Sequence, residues 1–249
     1  MCIRDRLLIV VMAIFFSTFT AVVMERVAYR PLRNSPRLIP LITSIGVSFF
    51  VQNLVLGLFG PSSKSYPRLP EWLAKQRSIL TFEIAGTRLM VLVVAAVSMA
   101  VLWYVVERTK TGRAMRAVAE DKEIASLMGI DVNRTIVTTF AVGGAMAGVG
   151  GILWGLMFRS VTHMTGFLPG VKAFTSAVVG GIGNMGGAMA GGISLGSAES
   201  IAPMLILEPL GVPGVSQLKD AVAFTVLVLV LLFKPSGLFG ERLSSEDRA

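Results

Sequence analysis

Long apolar runs are the feature that most constrains how this chain can fold. Several approach the roughly 20 residues that an α-helix needs to cross the hydrocarbon core of a bilayer. Only 15% of the 249 residues are charged, against about 25% in an average soluble domain. The sequence therefore predicts an all-α, polytopic integral membrane protein with about six to seven transmembrane or broken helices. The clearest predicted spans are Leu7–Met24, Leu38–Phe59, Leu89–Val106, Thr135–Phe158 and Gln217–Phe233.

The region between the last two spans has a different pattern. Val171–Val179 is apolar but short, and Ala188–Leu207 is interrupted by Glu199 and Pro203. A glycine-rich stretch separates these two runs, which predicts a short or broken helix, a bend and a second helix. Irregular backbone at membrane depth is tolerated only where protein covers it or where it lines a water-filled cavity. Glycines at 180, 181, 183, 186 and 187 are therefore candidates for helix packing or for the translocation path.

Two further features of the spans are candidates for packing or function. Small residues four apart let two helix backbones approach closely, and the fourth predicted span contains such pairs at Gly144, Gly148, Gly151 and Gly155. Glu199 is an ionisable residue within an apolar run, where such residues often serve transport but also pair with a neighbouring helix. The sequence leaves both roles open for Glu199.

Composition excludes most catalytic chemistry. The chain has one histidine, His163, and one cysteine, Cys2, so the sequence predicts no metal site, no disulfide framework and no cofactor. It contains no GxxxxGK[ST] motif and thus no P-loop for ATP. The letters Gly181-x-Gly183-x-x-Gly186 match a dinucleotide fingerprint, but no soluble strand precedes them and membrane-embedded sequence surrounds them. We interpret them as small-residue packing.

The net charge of +8 is explained by membrane topology rather than by nucleic acid. Positively charged residues are enriched in cytoplasmic loops, and Glu25–Arg37 contains four arginines among thirteen residues. Pro31 and Pro36 indicate that this segment is a loop rather than a continuation of the first helix. We therefore predict that Glu25–Arg37 and the polar segment Glu107–Arg134 face the cytoplasm. The intervening segment Gly60–Arg88 is predicted to be an outer loop.

Glu107–Arg134 is the most polar segment between two spans, with six basic and five acidic residues. Its stretch from Arg113 to Met128 lacks Gly and Pro and is rich in helix-forming residues, which predicts one amphipathic helix. Thr111 is the expected N-cap, and Gly129 the residue just past the C-terminus. Arg116 and Glu120 are spaced to pair. One face would carry Arg113, Arg116, Glu120 and Glu123, and the opposite face Ala114, Val118 and Ala125.

The same segment carries a family resemblance. RTKTGRAMRAVAEDKEIASLMGIDVNR resembles the cytoplasmic loop of the permeases of branched-chain amino-acid ABC importers, the LivH type. Three further stretches are similar to that family: ERVAYRPLRNSPRLIPLITSIGVSFFVQN, KAFTSAVVGGIGNMGGAMAGG and LLFKPSGLFGE. Together the four stretches extend across nearly everything from Leu7 to Glu241.

The resemblance implies a function and a set of partners. Such permeases pair with a second, LivM-like permease, bind two ATP-binding subunits, and receive substrate from a periplasmic or lipid-anchored binding protein in the cytoplasmic membrane of a bacterium or archaeon. The permease is not an enzyme, since its partners hydrolyse ATP. By this resemblance the ATPase-coupling residues are expected to be Gly112, Arg113, Arg116, Ala119, Glu120, Asp121, Ala125 and Gly129.

Expected domain boundaries and alternative functions complete the sequence predictions. Residues 1–6 are expected to be an artificial amino end, 7–241 a permease domain lacking the family's first spans, and 242–249 a cytoplasmic tail. One alternative keeps the mechanism and changes the cargo to urea, amides, other amino acids or a sugar. Another is an ion-coupled secondary transporter, against which the scarcity of acids within the spans argues. A third is a membrane scaffold that transports nothing.

Overall fold

The helices fall into two compact units. The structure is a computed structural model that describes residues 3–33, 35–36, 38–66, 76–79, 82–181, 183–203, 219–234 and 237. The units are Met1–Thr165 and Gly166–Ala249. Within the described residues, four helices are long and apolar enough to cross a membrane: Leu8–Leu32, Ile42–Phe59, Gly86–Arg108 and Val132–Phe158. The prediction of an all-α, polytopic membrane protein is confirmed.

Among its described residues, the first unit contains six α-helices connected by turns and short strand pairs. A π-helical turn, Glu25–Tyr29, and a 3-10 turn, Arg30–Leu32, extend the first helix. The α-helices are α1 (Ile3–Met24), α2 (Leu38–Phe59), α3 (Gly86–Arg108), α4 (Lys110–Glu120), α5 (Lys122–Leu127) and α6 (Val132–Phe158).

Short antiparallel strands lie in the segments predicted as outer loops. Strand β1 (Lys64–Ser65) pairs with β4 (Ser160–Val161), and β2 (Gln76–Ile79) pairs with β3 (Phe82–Ala85). The sequence analysis expected no strands there. The ladders are two and four residues long, so they connect helices and add no sheet layer to the fold.

The prediction that Glu25–Arg37 is a loop from its first residue was wrong. The chain continues in helical form through Leu32. Pro31 is tolerated because it occupies the start of a new 3-10 turn, where its missing N–H would have had no helical partner. Arg26 and Arg30 therefore extend from helical turns at the end of a span.

Glycines bring α1 and α6 together in the first unit. An ideal Cβ placed on Gly144 would lie 2.6 Å from Cβ of Ala21, and one on Gly148 would lie 3.0 Å from Cα of Ile14. The Ser17 hydroxyl donates a hydrogen bond of 2.7 Å to the carbonyl oxygen of Gly144. Close approach at the two glycines thus permits an interhelical hydrogen bond in a region that is otherwise apolar.

The second unit is built on a helical hairpin and a third helix. The elements in its described part are α7 (Phe167–Gly180), α8 (Met185–Ala202) and α9 (Lys219–Phe233). The bend between α7 and α8 contains Gly181 and Gly183 with φ of 110° and 99°, a conformation that favours glycine. Asn184 caps α8 by accepting a hydrogen bond of 3.0 Å from the N–H of Gly187. The predicted run Ala188–Leu207 is helical to Ala202, and its last four residues lie outside the described residues.

Candidate functional site

The polar segment between α3 and α6 begins with a tight turn. Thr109 rather than Thr111 caps α4, because its hydroxyl oxygen accepts a hydrogen bond of 3.1 Å from the N–H of Gly112. Gly112 is buried against the backbone carbonyl groups of Val105 and Val106, where a side chain would overlap the end of α3. A glycine at 112 therefore allows α4 to fold back sharply from the preceding span.

The prediction of a single helix over Arg113–Met128 was wrong, because the helix breaks at Asp121. The backbone of Asp121 is extended, with φ of −146° and ψ of 118°. Its Oδ1 accepts hydrogen bonds from the N–H groups of Glu123 at 2.7 Å and Ile124 at 3.1 Å. Asp121 therefore starts a second helix as its N-cap, in competition with continuing the first one. The segment is a pair of short helices that can point in different directions.

The far end of the segment is closed as the sequence predicts. Gly129 follows α5 with a φ of 81°, and the N–H of Ile130 donates to the carbonyl of Ala125 at 3.1 Å, an arrangement typical of a helix C-terminus. Asp131 then caps α6 by accepting a 3.0 Å hydrogen bond from the N–H of Arg134. Four residues, 128–131, thus connect α5 to the fourth long apolar helix.

The predicted division of the segment into two faces is present across both helices. Val118 and Ala125 are 6% and 3% exposed, and α4 and α5 pack against α6. Of the proposed coupling residues, Gly112 and Ala125 lie on this inner side. The exposed members are Arg113, Arg116, Ala119, Glu120, Asp121 and Gly129.

Arg116 is paired differently from the sequence prediction. Its guanidinium group binds the carboxylate of Glu107, at the end of α3, rather than that of Glu120. Both side chains are partly exposed, so the pair contributes little to stability. It does fix the direction of the Arg116 side chain across the turn, and it leaves Arg113 and Glu120 available on the surface.

Sequence reasoning missed an apolar surface on α5. Ile124, Leu127 and Met128 are 59%, 85% and 78% exposed, and we call these three side chains the α5 patch. The charged residues Glu120, Lys122 and Glu123, which precede these side chains in the chain, are also exposed. The available signal was the i, i+3, i+4 spacing of the patch residues on a segment too polar for lipid. An exposed apolar patch with a polar rim marks an interaction surface.

The other sequence candidates separate into packed and open positions. The backbones of α7 and α8 come into direct contact at three glycines, Gly180, Gly187 and Gly191. A Cβ added at Gly186 would lie 3.4 Å from Oδ1 of Asn184, and one added at Gly151 or Gly183 would have nothing within 4 Å among the described residues.

Glu199 is paired. Its Oε2 accepts a hydrogen bond of 3.0 Å from Nζ of Lys172, which also binds Oδ1 of Asp220 at 2.7 Å. The trio connects α7, α8 and α9 at one end of the second unit. Oε1 of Glu199 is buried without a hydrogen-bond partner among the described residues. Sequence analysis had not singled out Lys172 or Asp220, because the three residues are far apart in the chain.

The fold and the surface together define a class: an integral membrane protein that presents a capped helical pair between two of its spans. The chain belongs to the family described as the branched-chain amino acid transport system / permease component, whose model matches residues 4–231. No solved structure matches the chain significantly.

Curated relatives extend over most of the chain. It is 41% identical over 219 residues to the high-affinity branched-chain amino acid transport system permease protein LivH of Escherichia coli K12, covering 87% of this chain and 68% of the relative. Identity to BraD of Pseudomonas aeruginosa, a permease of the same description, is 42% over 219 residues, 87% of this chain and 69% of the relative. The fructose import permease FrcC of Rhizobium meliloti is 36% identical over 104 residues, 41% of this chain and 27% of the relative.

Proposed function

We propose that the chain is a multi-pass permease subunit of an ATP-driven importer in the cytoplasmic membrane, and that its cargo is branched-chain amino acids. It would assemble with a second permease, two ATP-binding subunits and a periplasmic or lipid-anchored substrate-binding protein. The chain itself would not hydrolyse ATP. The observation that carries the coupling part of this proposal is the exposed α5 patch.

An ATPase subunit is the partner whose chemistry fits the α5 patch. Burying apolar side chains lowers the free energy by about 25 cal/mol per Å² of area removed from water. A partner that covers the exposed Leu127 side chain would therefore gain binding energy. Charges such as Glu120 and Glu123 at the rim would set orientation more than affinity. The segment lies outside the spans, where an ATP-binding subunit has access to it.

The connection from α5 to α6 supports transmission of movement. The buried Ala125 fixes α5 against α6, and the capped turn at Gly129 and Asp131 joins the two helices. A force applied to the patch would therefore reach the fourth long apolar helix without passing through a flexible linker. Gly112 and Ala125 would act by positioning the segment rather than by contacting the ATPase.

The relatives support the cargo assignment. The Escherichia coli and Pseudomonas aeruginosa permeases named for branched-chain amino acids match 87% of the chain, whereas the fructose permease matches 41% of it. A sugar or another small solute is the runner-up, and uptake of labelled leucine, isoleucine, valine and fructose in a strain deleted for this gene separates them. Leucine uptake that depends on the ion gradient, with ATP intact, would favour a secondary transporter instead.

The docking test compares two apolar-to-acidic substitutions in the chromosomal gene. Leu127→Asp places a charge at the centre of the patch, and we expect the ATP-binding subunits to be lost from the purified complex. Met164→Asp is the matched control, because Met164 is also exposed, at 57%, in the segment between β4 and α7. Recovery of the ATPase and leucine uptake are the measurements.

The expected outcome is that Leu127→Asp reduces ATPase recovery at least tenfold, the effect of about 1.4 kcal/mol, while Met164→Asp retains it. Arg113→Glu should give a smaller loss that grows at low salt, because rim charges act mainly through long-range attraction. Normal ATPase recovery with Leu127→Asp would reject the α5 patch as the docking surface. Equal loss with both variants would indicate a general assembly defect.

Orientation is tested separately with a thiol reagent. Ser126 is exposed on α5, so after Cys2→Ser a cysteine introduced by Ser126→Cys should resist an impermeant maleimide in intact cells. It should react in inverted membrane vesicles, because the proposal places this segment in the cytoplasm. Labelling in intact cells would show that the segment faces the outside, where an ATP-binding subunit could not reach it.

A further inference from the structure

An arginine-lined cleft lies in the first unit, at the junction of the helical turns that follow α1 and the beginning of α6. Its volume is about 340 Å³, and neither the coupling proposal nor the cargo proposal uses it. We call it the arginine cleft. The residues that line it are Arg26, Arg30, Arg33, Asn133, Arg134, Val137 and Thr138.

The positive charge of the cleft favours the binding of an anion. The described lining contains four guanidinium groups and no carboxylate. Arg33 binds the carboxylate of Glu25 and the side-chain oxygen of Asn133. In the part of the chain that the structure describes, Arg26, Arg30 and Arg134 have no side-chain ion pair or hydrogen bond. Like charges this close repel one another unless a counter-charge binds between them.

The cleft is preformed by packing rather than by a mobile loop. Glu25 is fully buried and holds Arg33 from within the π-helical turn. The rings of Tyr29 and Phe140 are 5.2 Å apart and join that turn to α6. The interlocked α1 and α6 fix the positions of both walls, so little ordering would be needed when an anion binds. A π-helical turn is itself rare and occurs often at functional sites.

The position of the cleft identifies the anion. The extended first span ends at Leu32 and the fourth long apolar helix begins at Val132, so the arginines lie where hydrocarbon meets water. The phosphates of lipid headgroups occupy that boundary. Apolar surface is adjacent, since Val137 lines the cleft and Val27 is 73% exposed.

We propose that the arginine cleft binds the phosphate of an anionic phospholipid headgroup, with the acyl chains along the apolar surfaces of α1 and α6. Basic pockets between transmembrane helices on the cytoplasmic side recognise such headgroups, and guanidinium groups bind phosphate oxygens in pairs. The bound lipid would neutralise Arg26, Arg30 and Arg134 and hold the ends of the two helices together. This site is independent of the cargo and of the ATPase.

The test is lipid binding by the full-length protein, measured by native mass spectrometry in detergent with phosphatidylglycerol or phosphatidylcholine added. Wild type should retain phosphatidylglycerol selectively, and retention should fall with salt. Each arginine removed should weaken binding about fivefold, so Arg26→Gln with Arg134→Gln should lose about 25-fold. Arg26→Lys with Arg134→Lys should retain more binding than the glutamine variant but less than wild type, because the charge is kept while the paired guanidinium contacts to phosphate are lost.

The matched control removes two positive charges from outside the cleft. Arg108→Gln with Lys110→Gln should leave phosphatidylglycerol binding within twofold of wild type. Unchanged binding by the Arg26→Gln/Arg134→Gln protein, or equal retention of phosphatidylcholine by wild type, would overturn the proposal. If the double variant does not accumulate, the selectivity and salt dependence of wild type still decide it.

Two rival occupants give distinct results. Inorganic phosphate at millimolar concentration should not displace the lipid; complete displacement would assign the cleft to a soluble anion and reject the lipid. An acidic segment of a partner protein would be indicated if the Arg26→Gln/Arg134→Gln protein lost its ATP-binding subunits but retained phosphatidylglycerol, which would also reject the lipid.

Discussion

Glycine joins helices in both units, but the two contacts differ in what the glycine faces. On α6, the atom nearest to a Cβ at Gly144 would be the Cβ of Ala21 at 2.6 Å, a side-chain atom, while backbone atoms of Ser17 and Thr18 would lie further away at 3.1 Å. On α8, a Cβ at Gly191 would meet the carbonyl oxygen of Ser176 and the backbone of Gly180 on α7. Side chains can adjust or be replaced, whereas backbone atoms cannot. The helical hairpin of the second unit should therefore tolerate much less change than the α1–α6 contact.

The largest effect is expected in the hairpin, at Gly191. Gly191→Ala places a methyl group against the Ser176 carbonyl oxygen and 2.7 Å from the Gly180 nitrogen. Overpacking costs about 1–3 kcal/mol, and we expect the upper end because both neighbours are backbone. The measurement is the midpoint of thermal loss of the monodisperse protein in detergent, together with its accumulation in membranes.

Gly192→Ala is the control for the hairpin, one residue further along α8. Its added Cβ would lie 3.8 Å from Cβ of Ser176, an ordinary van der Waals distance. This variant should match wild type or be slightly more stable, since alanine is the better helix former. If Gly191→Ala and Gly192→Ala behaved alike, the backbone contact would not be the source of the hairpin's rigidity.

The α1–α6 contact should show an intermediate effect that can be reversed. Gly144→Ala brings two Cβ atoms to 2.6 Å, the other belonging to Ala21, and should cost about 1–2 kcal/mol. Ala21→Gly in the same protein removes the opposing methyl group and should restore at least half of the lost stability. The double-mutant cycle, measured by thermal stability in detergent, reports this coupling directly.

Gly143→Ala provides the matched control for Gly144. An added Cβ at Gly143 has nothing within 4 Å among the described residues, so no destabilisation is expected. Failure of Ala21→Gly to rescue Gly144→Ala would mean that the backbone of α1, at Ser17 and Thr18, sets the limit. The α1–α6 contact would then be of the same kind as the hairpin.

These glycines show which part of the fold was predictable. Apolar length identified the long helices, and GxxxG spacing correctly indicated where two backbones could approach. The same spacing indicated Gly151 as strongly as Gly148, yet Gly151 has open space around it. Spacing describes one helix surface, and it carries no information about which neighbour lies opposite. The long-range trio of Lys172, Glu199 and Asp220 was unpredictable for the same reason.

The location of the candidate site could be predicted from the sequence, but the α5 patch could not. Gly129 was correctly predicted to follow the helix, but the N-cap was assigned to Thr111 instead of Thr109. Whether Asp121 continues one helix or begins another depends on competition between side-chain and backbone hydrogen bonds. The break at Asp121 changes the direction of α5 relative to α4. Ala125 lies inside, as the predicted inner face required, whereas Ile124, Leu127 and Met128 are exposed. The prediction of a single straight helix assigned the polar residues to the interface and did not identify these three apolar side chains.

The smallest effect is expected where glycine faces a movable side chain. A Cβ at Gly155 would lie 2.6 Å from ring atoms of Tyr66. The Tyr66 side chain is 39% exposed, so its ring can rotate towards solvent, while its N–H keeps a 2.9 Å hydrogen bond to the carbonyl of Arg159. Gly155→Ala should therefore cost at most about 0.5 kcal/mol, as for a typical surface substitution.

Tyr66→Ala tests the reason for that small cost. With the ring removed, the difference in thermal midpoint between glycine and alanine at position 155 should vanish or reverse, since alanine then gains only its helix preference. A cost at Gly155 as large as that at Gly144, and abolished by Tyr66→Ala, would show that the ring is held in place. The strand pair between β1 and β4 would then have to be as rigid as the contact between α1 and α6, which its two-residue length argues against.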